Sequence, residues 1–519
     1  MFDPQSFVEE SAVPEAAARS KFRTAQNLRV EPFDSQSSVP YADALVAYSE
    51  RHCKRLHLPG HGGDTAGVTA VTEFFGGRLA ELDLMPMVRG IDLGTEPTAL
   101  GRSLALAARA WGSRRTWFLT NGATQGNQVA SIALRSLGTD LLVQRSVHSS
   151  VIDAMVMTGA NAQFVRPWID DLGIAHGVTA DDIRQELAKM RAEGGAPVAV
   201  YVVSPSYFGF VSDIAAIAEV AHAASIPLVV DEAWGSHLSF HPDLPTNALA
   251  NGADLVISST HKQAGSLTQT AMIHLGDGPF ADQLEPLIDR AHRAVQSTSE
   301  SAVLLASLDL ARRALVTQPD RVRRSIDFAD SLRNQVRSRG RFKIASDRFQ
   351  EVPGWWANDP LKVVITTIDG GITGHEARSI LDEEHDVLFE LANDSTLVAV
   401  IGAGADHDEG GVIDLVHGLP WTHRPGSRNS LTVPPGGPRR MSVREAFFAR
   451  TEILPAQSAV GAVSADTVAA YPPGIPNLLP GEEITLAAVE YLQAVAASPN
   501  GHVRGAYDPG VMMFRVVAS

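Results

Sequence analysis

The sequence predicts an α/β protein in which a large domain with a mostly parallel sheet precedes a smaller α/β domain. Three features lead there. Between about residues 112 and 275, seven short apolar runs alternate with helix-length amphipathic segments. The runs carry Val, Ile and Leu at successive positions, which suits strands covered by helices on both faces. After a long Arg-rich helical stretch, a shorter strand–helix–strand pattern resumes at residue 362.

In chain order, residues 1 to about 40 mix Ser, Glu, Pro and Ala with little apolar periodicity and read as an extended arm or loosely packed helix. Strands of the large domain are expected at TWFLT, LLVQ, NAQFV, AVYVVS, PLVVD, DLVIS and AMIHL. One intervening helix shows the logic. From Ser212 to Ala224, the residues Ile214, Ile217, Ala218 and Ala221 share a face at helical spacing, and Asp213 can cap the start. A helical stretch follows over 285–340, then strand KVVITT at 362–367, a helix from about Gly374 to Asp386 and a strand at 397–401. The proline-dense YPPGIPNLLPGEE at 471–483 cannot be helix interior and is expected as an ordered surface turn. The implied division is an N-terminal arm (1–45), a large domain with connecting helices (46–340), a small α/β domain (341–430) and a C-terminal segment (431–519).

Composition narrows the function classes. With 45% hydrophobic and 20% charged residues the 519-residue chain has the make-up of a globular protein, which excludes disordered and collagen-like classes. A formal net charge of −16 opposes binding to nucleic acid or anionic lipid. The single cysteine, Cys53, can form neither an internal disulfide nor a Cys-based zinc site, and it suits a reducing compartment. Cytosol is the expected location, and no export signal or membrane span is legible.

The chemistry gathers at strand ends. PLVV runs into Asp231, and DLVIS runs into Ser259-Thr260-His261-Lys262. In an open parallel sheet ligands bind beyond the carboxyl ends of the strands, so Asp231 and Lys262 face one pocket. A carboxylate and an amine placed so suit pyridoxal 5'-phosphate (PLP). The amine forms a Schiff base with the cofactor aldehyde, and the anion keeps the pyridine nitrogen protonated. TNGATQGNQ (120–128) lies between a strand and a helix, where Gly122, Ala123 and Thr124 offer N–H groups and a hydroxyl to a phosphate. Ser259 and His261 can donate to the same phosphate. His148, in RSVHSS at another strand end, can stack on the pyridine ring, and Ala233 offers a small side chain to the opposite face.

These words, in this order, resemble the Orn/Lys/Arg decarboxylase family: LPGHGG (58–63), TNGATQGNQ, VHSS, DEAWGSH (231–237), STHKQAGSLTQTAMIH (259–274), QSTSESA (296–302) and YPPGIPNLLPGE. The resemblance runs from about residue 50 to the C-terminus. It implies PLP-dependent fold type I, the aspartate-aminotransferase-like class, and a homodimer or larger homo-oligomer with the active site at the subunit interface. It makes Lys262 the Schiff-base lysine, Asp231 the partner of the pyridinium, His148 the stacking histidine, and Gly122, Ala123, Thr124, Ser259 and His261 the phosphate neighbourhood. It places the residues near Ser297, Thr298 and Ser299 against the neighbouring subunit's site. Because LPGHGG begins at Leu58, the chain resembles the shorter branch that lacks an N-terminal receiver-like wing domain.

The implied reaction is decarboxylation of arginine, ornithine or lysine to the corresponding amine, with arginine first. Another PLP reaction on an amino acid, and a non-catalytic regulatory homologue, are the alternatives. Where family members commonly read STSPSY, this chain reads Ser297-Thr298-Ser299-Glu300-Ser301-Ala302, which brings a carboxylate to the pocket wall. A basic substrate needs an anion at its far end, and the candidates are Asp92, Glu96, Glu300, Glu390 and Glu482. Glu300 would act on the neighbouring subunit's substrate. No metal site is expected: Pro59 and Gly60 break the helix that a His57–His61 pair would need.

Overall fold

The computed structural model describes residues 35–64, 66–406, 410–422, 433–471, 475–498 and 501–518. Its centre is a sheet of seven strands: β1 (Arg115–Leu119), β2 (Asp140–Gln144), β3 (Asn161–Val165), β4 (Pro197–Val203), β5 (Leu228–Asp231), β6 (Leu255–Ser258) and β7 (Ala271–Leu275). They lie in the order β1-β7-β6-β5-β4-β2-β3. The run from β6 to β3 is parallel, and β7 is antiparallel to both its neighbours. Every expected apolar run forms a strand. The continuous apolar character is explained by two helical layers, because alternate side chains of a strand point to opposite faces. Leu141, Val143, Val229, Leu255 and Ile257 pack against the helices Gly122–Arg135, Ser149–Thr158 and Ala281–Val295. Leu142, Val200, Val202, Val230 and Val256 meet the helices Ala180–Ala192 and Ile214–Ala223 on the other side.

In the helix Ile214–Ala223 the four expected apolar residues are buried, and the Asp213 carboxylate accepts from the Ala216 N–H at 3.0 Å. It starts later than the periodicity suggests because Phe210–Ser212 is drawn into an antiparallel pair with Trp355–Asn358. The helical stretch expected over 285–340 is three helices, Ala281–Val295, Ala302–Thr317 and Pro319–Arg339. Ser301 caps the second and Pro319 opens the third, a position where its missing N–H is harmless.

The small domain carries an antiparallel sheet of β8 (Lys343–Ile344), β9 (Lys362–Thr366), β10 (Leu391–Ala392) and β11 (Thr396–Val400), in the order β10-β11-β9-β8. The helix Gly374–His385 covers it and starts with a reciprocal Thr373–Glu376 cap. One expectation needs correction. Residues 476–482 are buried, not a surface turn, because Leu478 and Leu479 enter the core and Pro476–Leu478 pairs with Val468–Tyr471; positions 472–474 lie outside the described residues. The arm lies outside them up to residue 34, and Pro40–Ser49 is a helix whose Tyr41 and Leu45 pack into the core. No described helix is long and apolar enough to cross a membrane.

Candidate active site

Strands β5 and β6 are parallel neighbours, with Asp231 in register with Ile257, so the chain after each emerges at the same edge of the sheet. Asp231 ends β5 and is 3% exposed. Lys262 lies in the single helical turn Thr260–Gln263 that follows β6. The two form no direct ion pair, yet each feels the other's charge. Burial raises the Asp231 carboxyl, while Lys262 and a hydrogen bond from Asn127 act to lower it. Burial brings the Lys262 amine down to about 8 against the opposing pull of Asp231 and Glu390.

A buried network holds Asp231. Its Oδ1 accepts from the Ala233 N–H at 3.1 Å and its Oδ2 from Asn127 Nδ2 at 3.1 Å. Asn127 also donates to Ser150 Oγ at 2.8 Å and accepts from the Tyr201 hydroxyl at 2.7 Å. With Ser150 Oγ accepting there, its own proton goes to His148 Nδ1 at 2.9 Å, and the Ser150 N–H donates to the same nitrogen at 3.2 Å. Two donors on Nδ1 fix the proton of the neutral imidazole on Nε2. Burial, with Lys262 and Arg504 nearby, pulls His148 down to about 4, so the ring is neutral at ordinary pH. Asp231 and His148, from different strand ends, are thus joined through two side chains.

The phosphate expectation is refined by the turn after β1. Gly122 opens its helix at φ +69°, a conformation that suits glycine, and its N–H is already engaged by the Gln269 carbonyl at 2.7 Å. Ala123 and Thr124 in the first turn keep the N–H groups that helix geometry leaves without an acceptor. Ser259 is buried at the start of the turn that carries Lys262. His261 Nδ1 donates to the Thr270 carbonyl at 2.7 Å, which leaves Nε2 for another partner.

Trp234 lies beside Lys262, whose Nζ is 4.0 Å from the indole centroid, and a second lysine, Lys362, stands 3.5 Å from the same centroid. The buried Trp234 Nε1, Thr260 Oγ1 and Lys362 Nζ have no hydrogen-bond partner among the described residues. Unpartnered buried polar groups suit a polar ligand. An aldehyde-reactive amine, a fixed carboxylate, a neutral imidazole and helix N–H groups together fit PLP.

The far-end anion candidates separate. Glu300 accepts from Gln296 Nε2, and burial followed by the charge of Asp92 raises it to about 7. Asp92 is pinned by the Met87 N–H at 2.6 Å. Thr298 and Ser299 are exposed beside Glu300. Glu390 is close enough for its charge to act on both lysines. Glu96 is exposed and accepts from the Thr98 N–H at 3.1 Å, the role of a turn residue before a helix. Glu482 is held by Arg145 at 2.9 Å and by the Leu479 N–H, so it clamps the C-terminal segment to the large domain.

Sequence reasoning did not assign Asn127, Ser150, Tyr201 or Lys362. Asn127 lies within TNGATQGNQ and Ser150 within RSVHSS, but hydrogen bonding between distant strand ends is invisible in either word. The signal for Lys362 was a charge heading an otherwise apolar strand.

The chain matches the family Orn/Lys/Arg decarboxylase in two parts, the major domain over residues 39–409 and the C-terminal domain over 438–502. It is 32% identical to the arginine decarboxylase of Bacillus anthracis over 93% of this chain and 98% of that protein. The arginine decarboxylase of Bacillus subtilis is 30% identical over the same shares. Among solved structures, the constitutive lysine decarboxylase of Escherichia coli has a TM-score of 0.75 at 21% identity, covering 93% of this chain and 82% of that one. Lysine decarboxylase A of Pseudomonas aeruginosa gives 0.76 at 21% identity, covering 92% and 80%. These two structures have the same fold.

Proposed function

Since the chain belongs to the Orn/Lys/Arg decarboxylase family, we propose that it converts arginine to its amine and CO2, with ornithine and lysine as the competing substrates. Arginine comes first because the relatives above 30% identity that span nearly the whole chain are arginine decarboxylases. The observation that carries the chemistry is the Lys262 amine, drawn down to about 8, facing a buried Asp231 carboxylate across adjacent strand ends.

When bound, PLP supplies an aldehyde for amino groups and a protonated ring that takes up the electron pair left as CO2 departs. Lys262 would provide the amine for attachment and, when free, the acid for Cα, because His148 is neutral and its Nε2–H a weak acid. Asp231 would accept from the ring nitrogen and keep a proton there. Asn127, Tyr201 and Ser150 set the orientation of both Asp231 and His148. His148 would cover one face of the ring and Ala233 the other. The N–H groups of Ala123 and Thr124, the Ser259 hydroxyl and His261 would hold the phosphate.

Glu300, with Ser299 and Thr298 beside it, reaches the substrate of a neighbouring copy in a homodimer. Asp92 adds negative charge next to Glu300, and a guanidinium answers such a pair well. The cytosol, a reducing compartment, fits the lone, unpaired Cys53. The division into an arm, a large domain to 340, a small domain to 430 and a C-terminal segment is retained as part of this reading.

The test is mass spectrometry of the products formed from arginine, ornithine and lysine by the PLP-loaded protein, with the Lys262→Ala variant alongside. An amine from arginine that Lys262→Ala abolishes is expected. No amine from any of the three would overturn the reading.

A further inference from the structure

Lys362 heads strand β9 of the small domain, is 1% exposed, and its amine has neither a hydrogen-bond partner nor an ion pair among the described residues. A buried ammonium without an acceptor is among the costliest arrangements a fold can hold. Here the fold goes to some length to hold it. Gly209, at φ +87°, lies so close to the stem that a Cβ there would stand 2.8 Å from Lys362 Cβ and 2.9 Å from Cγ. The turn before the lysine is pinned from two sides. The Asp359 N–H donates to the Gly209 carbonyl at 2.8 Å, and Asp359 Oδ1 takes His237 Nε2 at 3.0 Å and the Leu361 N–H at 2.9 Å. The stem is thereby fixed, and the amine is delivered to the face of Trp234.

Lys262 Nζ and Lys362 Nζ lie 4.0 Å and 3.5 Å from that indole centroid, so their separation cannot exceed the sum of those distances. The substrate's amino nitrogen must come to the place of the Lys262 amine. Its carboxylate carbon is two bonds away from that nitrogen, about 2.5 Å, and the oxygens reach further. We propose that the Lys362 ammonium binds the α-carboxylate of the amino-acid substrate, and so takes the place of an arginine clamp. This rests on the decarboxylase reading above. Among the described residues, Arg504, whose charge reaches His148, is exposed, and Arg378 is turned to the Phe389 carbonyl; Arg424 and Arg428 lie outside the described residues. Burial and Lys262 draw the free Lys362 amine down to about 7, against Asp359 and Glu390, and an arriving carboxylate restores its charge. When CO2 leaves, the anion vanishes and the contact is lost. Lys362 therefore supports binding of the amino acid and not of the amine product.

The experiment compares wild-type holoenzyme with Lys362→Met, which keeps length and apolar bulk, and Lys362→Arg, which keeps charge. For each, the KM for the amino acid is set against the inhibition constant of its own decarboxylated amine, and PLP affinity is measured separately. Lys362→Met is expected to raise the KM for arginine about 10- to 100-fold, leave the constant for the amine within about twofold, and change kcat little. Lys362→Arg is expected to recover most of the loss. Arginine methyl ester, with its carboxylate masked, should bind wild type and Lys362→Met alike. Equal shifts for acid and amine, an unchanged KM, or a loss confined to PLP affinity would each overturn the assignment. If lysine or ornithine proves to be the substrate, the same ratio is read with that acid and its amine, so the substrate reading and the Lys362 assignment fail separately.

Discussion

Asn127 is the residue on which the electronics of the site turn, although it touches no reacting atom. It donates to Asp231, is itself fixed by Tyr201, and sets Ser150 against His148. Burial pushes the Asp231 carboxyl up, and the Asn127 donor is one of the forces holding it down. Asn127→Leu removes that donor from the ionised form, so the Asp231 pKa rises further. The mechanism proposed above needs the carboxylate, so the acid limb of the kcat/KM profile is expected to move upward. The alkaline limb, to which Asp231 does not contribute, should stay. An unmoved acid limb would mean that Asn127 only fills space. Asp231, Lys262 and His148 were legible because each follows an apolar run; Asn127 was not, since its partners come from two strands and a helix that are distant in the chain.

At the scale of elements, the helix Gly122–Arg135 delivers both the N–H groups proposed to hold the phosphate and Asn127, so its seat on the sheet governs the proposed site. Gly126 sets that seat. A Cβ there would fall 2.6 Å from Ile257 Cγ2, on the strand that leads to Lys262. Gly126→Val is expected to lift the helix, destabilise the fold by about 1–3 kcal/mol and weaken PLP binding, as read by thermal melts and cofactor titration. Adding Ile257→Ala should recover part of both losses. Element identity followed from periodicity, which is local. Element ends did not: the helix Ile214–Ala223 lost its first residues to strand pairing with Trp355–Asn358, a partner far along the chain.

At the scale of the whole molecule, the proposed role of Glu300 in trans makes two copies of the chain the working unit. Lys262→Ala and Glu300→Gln damage different contributions to one site. Co-purified mixed dimers of the two are expected to show more activity than either parent, because one of the two sites regains both groups. Mixed dimers no more active than Glu300→Gln alone would place Glu300 in its own subunit's site or outside both. The Asp92–Glu300 pairing that motivates the test joins a loop before the large sheet to the break between two long helices, and no spacing in the sequence foretells it.

By itself, the sequence determined the seven strands, the two-sided cover of the sheet, the family, the cofactor, and the placing of Asp231 and Lys262 at neighbouring strand ends. Those features are written in local periodicity and in strand ends that a parallel sheet must bring to one edge. Only the tertiary structure decided that Gly122 spends its N–H on Gln269, that Glu482 serves Arg145 and not the pocket, and that residues 476–482 are core. It alone brought Lys362 from the small domain to Trp234. The reason is physical. Whether a polar group is free or satisfied depends on the partners that folding brings to it, and those partners lie tens to hundreds of residues away.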